Sequence, residues 1–207
     1  MQRLLILVTL LLITHMVPAA PCSAGRRISV DIGYVETGST NFGSGLTYGA
    51  TITEGTGRIG FAITFRRFSN SISYSTEVKS GEDTIIFDYE EEFSDFYISA
   101  MPTYNFWLGS RSNHMLLGFG PQVHFVRSEK FYISDGFSMT ARDFRLGAGA
   151  VLRYERRMDM FGGVAFALTA GQSWSEDRSD HPDPYDYKTP PEAISFPILT
   201  AGLAFSF

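Results

Sequence analysis

After Gly25, apolar side chains repeatedly recur at every second position, and no segment sustains a helical period. A period of two marks a β-strand with one apolar face. Eight such stretches can be read. The first runs from Arg27 to about Thr37 and aligns Ile28, Val30, Ile32 and Tyr34. The second, Gly45–Thr53, aligns Leu46, Tyr48, Ala50 and Ile52. A third starts at Arg58 with Ile59, Phe61, Ile63 and Phe65, and a fourth ends near Trp107 with Phe96, Ile98, Ala100, Pro102, Tyr104 and Phe106. The fifth aligns Met115, Leu117, Phe119, Pro121, Val123 and Phe125; the sixth aligns Phe144, Leu146, Ala148, Ala150, Leu152 and Tyr154. Val164, Phe166, Leu168, Ala170 and Trp174 form the seventh, and Leu199, Ala201, Leu203, Phe205 and Phe207 the eighth.

The opposite parity is small or polar. Gly33, Gly49, Gly60, Gly118, Gly120, Gly147, Gly149, Gly171 and Gly202 fall on it, with Asp31, Arg66, Asn105, Gln122, Asp143, Arg145 and Arg153. A water-soluble barrel would turn the large apolar set inward and its charges outward. Here the small and charged set suits a narrow lumen, whereas lipid sets no upper limit on side-chain size. The expected fold is all-β: a closed, antiparallel, up-and-down transmembrane β-barrel of about eight strands.

The connections alternate in length. Short turns are expected near Glu54–Gly57, Gly109–Asn113 and Arg156–Met160. Longer connections, or extended hairpins, are expected at Gly38–Ser44, about Ser69–Asp95, about Ser128–Phe137 and Glu176–Glu192. Short periplasmic turns and long extracellular loops are usual for such barrels, which places both termini in the periplasm.

The two ends of the chain add targeting signals. Arg3, the apolar run Leu4–Leu12 and the small residues up to Ala24 read as a secretory signal peptide, residues 1–24, leaving one barrel domain, 25–207. Cys22, the only cysteine, falls inside that segment, and Pro21 before it argues against lipidation. The mature barrel is then expected to hold no disulfide, no thiolate nucleophile and no cysteine metal site. At the other end, Leu203-Ala204-Phe205-Ser206-Phe207 resembles the last-strand signal of outer-membrane proteins. With eight candidate strands, the whole mature chain resembles the small OmpA/OmpX-like outer-membrane β-barrels. That resemblance implies that the assembly machinery reads Leu203, Phe205 and Phe207, and that the partners are outer-membrane lipid and lipopolysaccharide.

Composition changes this picture little. Mean hydropathy is close to zero, as it is when lipid-facing and lumen-facing residues alternate. The net charge of −5, with no basic patch, counts against nucleic acid as a partner. No cofactor or metal motif is apparent.

Four sets of residues invite a chemical reading. The inward polar set Asp31, Arg66, Gln122, His124, Asp143, Arg145 and Arg153 could line a conduit or bind an anion; the plainer reading is a network that satisfies buried charges in a plugged barrel. Pro102 and Pro121 lie on the lipid-facing parity of neighbouring strands, nearly equidistant from the Gly109–Asn113 turn, and could weaken the ladder into a lateral seam; two local bulges are the alternative. A protruding hairpin carries Glu77, Glu82, Asp83, Asp88, Glu90, Glu91, Glu92 and Asp95, which read as a solvated rim because calcium-loop spacing is absent; Ile85, Ile86 and Phe87 beside them could support strand addition. The loop Ser175–Pro191 holds Asp177, Ser179, Asp180, His181, Asp183 and Asp186, the right types for a hydrolase but only adjacent in a Pro/Asp-rich loop. A lipid A deacylase resemblance would need a histidine and a serine two apart on a lipid-facing strand; His124 is followed by Phe125 and Val126 and points inward by parity.

The expectation is a non-enzymatic outer-membrane barrel that acts in structure or in surface contact through its loops and acidic hairpin, with an extracellular partner left open. A narrow transport or lipid-handling barrel with a seam at Pro102 and Pro121 is the alternative, and a lipid-modifying enzyme a remoter one.

Overall fold

The computed structural model describes residues 25–36, 43–80, 83–109, 112–133, 136–158, 163–176 and 194–206, with backbone alone at Thr56, Tyr74, 76–80 and 83–87. The expected signal segment, Phe207 and the Asp177–Asp186 cluster lie outside the described residues. Eight strands follow in order: β1 (Arg27–Glu36), β2 (Ser44–Thr56), β3 (Ile59–Ser80), β4 (Asp83–Trp107), β5 (Asn113–Tyr132), β6 (Phe137–Arg157), β7 (Val164–Ser175) and β8 (Ser195–Ser206). Each pairs antiparallel with the next, and β8 returns to β1 through Arg27↔Ser206 to Val35↔Ile198. Closure leaves no open edge in this ring, which a strand in lipid requires.

Local sequence accounts for the tight connections. Thr56 pairs with Ile59, so only Gly57 and Arg58 join β2 to β3, and Gly57 takes φ +76°. That left-handed backbone suits the two-residue hairpin, and glycine adopts it without a Cβ penalty. Gly109, Gly136 and Gly163 do the same between later strands.

The parity argument places the faces correctly. Val30, Ile32, Leu46, Tyr48, Phe119, Leu146 and Leu199 are at least half exposed, while Asp31, Arg66, Gln122, His124, Arg145 and Arg153 are buried. On the outside, Phe96, Phe125 and Phe144 sit in register across β4, β5 and β6, with ring centroids 6.0 and 5.7 Å apart. So much contiguous apolar surface is foreign to a water-soluble monomer and suits a bilayer, with aromatic rows as girdles.

Strand length divides the barrel in two. β1, β2, β7 and β8 have 10 to 13 residues, close to one membrane crossing. β3, β4, β5 and β6 have 20 to 25. Pairing of β2 with β3 stops at Leu46↔Ser69, and pairing of β6 with β7 stops at Gly147↔Ser175. Past those rungs the four long strands continue as a projecting sheet. The expected extension of the third and fourth strands is present. Over Ser128–Phe137 the expected longer connection takes its extended-hairpin form, strand on both sides reaching Tyr132↔Phe137. The apolar alternation fades there, and cross-strand contacts such as Lys130 Nζ over the Tyr89 ring, 4.3 Å from its centroid, replace it.

Candidate functional site

The lumen is filled in layers, beginning at the end that bears both termini. There Arg27 Nη1 donates to Glu155 Oε2 at 2.6 Å and to His114 Nδ1 at 2.7 Å. The same Nδ1 lies 3.3 Å from Glu155 Oε2, and Nε2 on the other side of the ring lies 3.1 Å from Asn105 Oδ1. Arg153 Nε binds the other carboxylate oxygen of Glu155 at 2.8 Å.

In the next layer Arg66 Nη2 pairs with Asp31 Oδ1, and Arg153 Nη1 lies 3.8 Å from Asp31 Oδ2. Asp31 sits on β1, Arg66 on β3 and Arg153 on β6, so the ring is cross-braced through its middle. A cavity of about 30 Å³ remains beside these two arginines.

Above it, Ser173 Oγ donates to Gln122 Oε1 at 2.7 Å, and His124 Nδ1 meets Asp95 Oδ2 at 2.7 Å. Arg145 Nε binds Asp143 Oδ2 at 2.9 Å. Glycines across β5 and β6 make the room: Gln122 pairs with Gly147, and a Cβ at Gly149 would run into the Gln122 amide.

The far end is apolar. Val35, Phe68, Phe93, Tyr97, Val126, Ile194, Phe196 and Ile198 form one buried cluster. The Phe68 ring lies 6.0 Å from Phe93 and 5.7 Å from Phe196, and Tyr97 stacks 5.2 Å from His124. This plug and the guanidinium–carboxylate layers beneath it close the lumen.

All seven residues expected in the lumen network point inward, though they do not form one cluster. Asp31, Arg66 and Arg153 belong to the middle layer; Gln122, His124, Asp143 and Arg145 belong to the one above. One expectation needs correction. Asp95, read as part of the solvated acidic rim, is fully buried against His124. It lies on the inward parity of β4, below the projecting sheet, so pairing rather than solvation stabilises it. Asp88 and Glu90 are exposed as expected, whereas Glu91 accepts from Ser128 Oγ at 2.9 Å. The sequence reading missed Arg27, His114 and Glu155, and it missed the apolar plug. Their inward parity, shared with Arg66 and Asp31, was the available signal.

Pro102 and Pro121 are exposed on the outer face. β4 and β5 keep one register, with Ser99↔Gln122 and Thr103↔Gly118, but the three rungs between those pairs are missing. The direction of the nitrogens explains the gap. Asn105 donates to Arg58 O, toward β3, so three residues back the Pro102 nitrogen faces β5. Leu108 donates to Asn113 O, so Asn113 faces β4, and Pro121, of the same parity, aims its nitrogen at β4. Ala100 and Phe119 carbonyls therefore lose their ladder donors. Leu203 and Phe205, expected to signal assembly, lie on the outer face of β8.

No protein-family model and no characterised protein sequence matches the chain. Solved structures do. The Neisserial surface protein A is similar at TM-score 0.57 and 16% identity, covering 91% of this chain and 100% of its own. A major outer membrane protein from Thermus thermophilus is similar at 0.55 and 13%, covering 88% and 99%. Ail, the attachment invasion locus protein of Yersinia pestis, is similar at 0.52 and 14%, covering 88% and 99%. At these identities the likeness is one of fold, and the fold is that of small outer-membrane β-barrels.

Proposed function

We propose that the chain is a non-enzymatic outer-membrane barrel whose work is contact at the cell surface. The observation that carries this reading is the projecting sheet: four strands run about twice as far as the other four, above a lumen closed by charge layers and an apolar plug. In this reading the end bearing both termini faces the periplasm, and the sheet stands outside. Membrane lipid and lipopolysaccharide surround the apolar exterior, and the assembly machinery engages the last strand through Leu203, Phe205 and Phe207. Among the described residues, no strand pairs with the outer side of β3 beyond Asn70 or of β6 before Asp143, and these edges offer backbone groups to an extended partner segment, the chemistry of strand addition. A role in attachment accords with the name of Ail, a barrel of the same fold. The test compares cells displaying the full chain with cells displaying a chain whose hairpins are cut back to Ser69/Ser94 and Ser128/Ala141. Adherence to immobilised matrix protein is expected to fall while the barrel stays in the membrane. Equal adherence overturns the reading.

A second reading, lipid handling through the side wall, is favoured by the interrupted ladder at Pro102 and Pro121. It requires the seam to open in a bilayer, which amide exchange measures.

A further inference from the structure

Past Asn70, no described strand pairs with β3 on the side away from β4. Asn105 N donates to Arg58 O, so even-numbered residues of β3 bond to β4, and the register runs unbroken from Ile59↔Tyr104 to Ser80↔Asp83. Ser71, Ser73 and Ser75 therefore turn their backbone N–H and C=O groups to the side where no described strand lies. Natural edges are commonly guarded by proline, lysine or a bulge. From Asn70 to Ser80, β3 has no proline and no break in register, and its one lysine, Lys79, is next to the last residue of the strand.

The two faces beside this edge differ in chemistry. On the outer face Ser71, Ser73 and Ser75 stand opposite Glu92, Glu90 and Asp88 of β4, and all six are exposed. Ser71 Oγ donates to Glu90, which leans that carboxylate over the edge strand. Among the described residues none of the three carboxylates is in a salt bridge; Arg127, opposite Ser94, is paired with Glu129 instead. Over the projecting segments 70–80, 83–94, 127–133 and 137–142, carboxylates outnumber basic side chains seven to four. On the other face the Tyr74 position shares one rung with Tyr89, Tyr132 and Phe137, an aromatic residue on each of the four strands. Ring centroids are 5.8 Å apart for Tyr89 and Tyr132, and 6.4 Å apart for Tyr132 and Phe137.

We propose that the edge of β3 receives a basic, amphipathic polypeptide strand, with Lys or Arg at every second position and apolar or aromatic residues between. This rests on the reading that the projecting sheet works in surface contact, and it names the partner's chemistry. Neighbouring strands lie about 4.8 Å apart, so a strand added to β3 sits about 10 Å from β4. The serines leave that span open on the outer face, and the long side chains of lysine and arginine cross it to the β4 carboxylates. On the opposite face the partner's apolar residues extend the aromatic rung, as cross-strand pairs do. A second copy of this chain is a poorer occupant, because pairing two β3 edges brings two rows of carboxylates together. The corresponding side of β6 is poorer too: its outer-face residues are Ser138, Thr140 and Arg142, with no carboxylate for a basic strand to meet.

The probe is a short fluorescent peptide of alternating lysine and valine, titrated onto the full chain in zwitterionic detergent. Two control peptides accompany it: the same composition in block order, and alternating glutamate and valine. The alternating lysine peptide should bind at least tenfold more tightly than either control. Glu90→Lys combined with Glu92→Lys should weaken it at least tenfold and turn the preference to the glutamate peptide. Ser73→Pro, which removes one edge donor and no β3–β4 bond, should also weaken it at least tenfold. Amide exchange should show Ser73 and Ser75 newly protected by the peptide, with Ser138 and Thr140 of β6 unchanged. Equal binding of the alternating and block lysine peptides, or no gain in protection at Ser73 and Ser75, overturns the proposal. Surface contact itself is judged by the adherence of cells with shortened hairpins, so a failure here leaves that reading standing.

Discussion

Pro102 and Pro121 aim their nitrogens into the same seam, each toward the other's strand, and the β4–β5 ladder is interrupted at that point with its register intact on both sides. Two lost donors in a lipid-facing wall are not offset by water. The amides of Ala100 and Phe119 still face the seam, and they are expected to exchange hydrogen faster than those of Ile98 and Leu117 in the same strands. Full protection of Ala100 and Phe119 contradicts a weak seam. Replacing both prolines by valine should restore two ladder bonds and raise stability by about 0.5–1.5 kcal/mol for each.

Asp95 and His124 are both fully buried and 2.7 Å apart. Removing one partner leaves the other's buried hydrogen-bonding group unsatisfied, which generally costs about 1–3 kcal/mol. Asp95→Ala should therefore lower the urea midpoint strongly, whereas alanine at Glu90, exposed on the projecting sheet, should leave it nearly unchanged.

Gly147 faces the lumen beside His124, and a Cβ there would meet the Trp174 carbonyl and sit 2.9 Å from His124 Nε2. Backbone cannot yield as a flexible side chain can. Gly147→Ala is expected to cost roughly 1–3 kcal/mol by overpacking, read from chemical unfolding of the refolded barrel. Gly57→Ala meets no neighbouring atom and is limited only by its φ of +76°, so its expected cost is smaller.

On β6, the Leu146 carbonyl accepts from Glu176 N at 2.8 Å, which sets even-numbered residues facing away from β5. Thr140 of the projecting sheet thus turns its N–H to the side where no described strand pairs with it, and Ala141 turns its own to β5. Proline removes a donor without harm only at an edge. Thr140→Pro should leave protease resistance of the sheet intact, and Ala141→Pro should open it to cleavage.

The fold was legible because lipid enforces strict alternation: Ile28 to Tyr34 and Leu199 to Phe205 each kept one parity and one face. The layered lumen was less legible. Phe68 follows Arg66 by two and Phe93 precedes Asp95 by two, so plug and charge network share one parity, and only the closed ring shows that they occupy different heights. Asp95 was misassigned for a related reason. A run of acids from Asp88 to Asp95 looks uniform in sequence, but the sheet crosses from solvent into the barrel along it. The partners Arg27, His114 and Glu155 come from β1, β5 and β6, and no local spacing joins them.

The account rests on polar residues inside and apolar residues toward lipid in a closed ring. Single cysteines along β5, each carrying a fluorophore and introduced with Cys22 replaced, test this most directly in vesicles of brominated lipid. Labels at Leu117, Phe119, Val123 and Phe125 should be quenched, and labels at Gly118, Gly120 and Gln122 should be spared or should block folding. Quenching with the opposite phase, or with no period of two, contradicts the account.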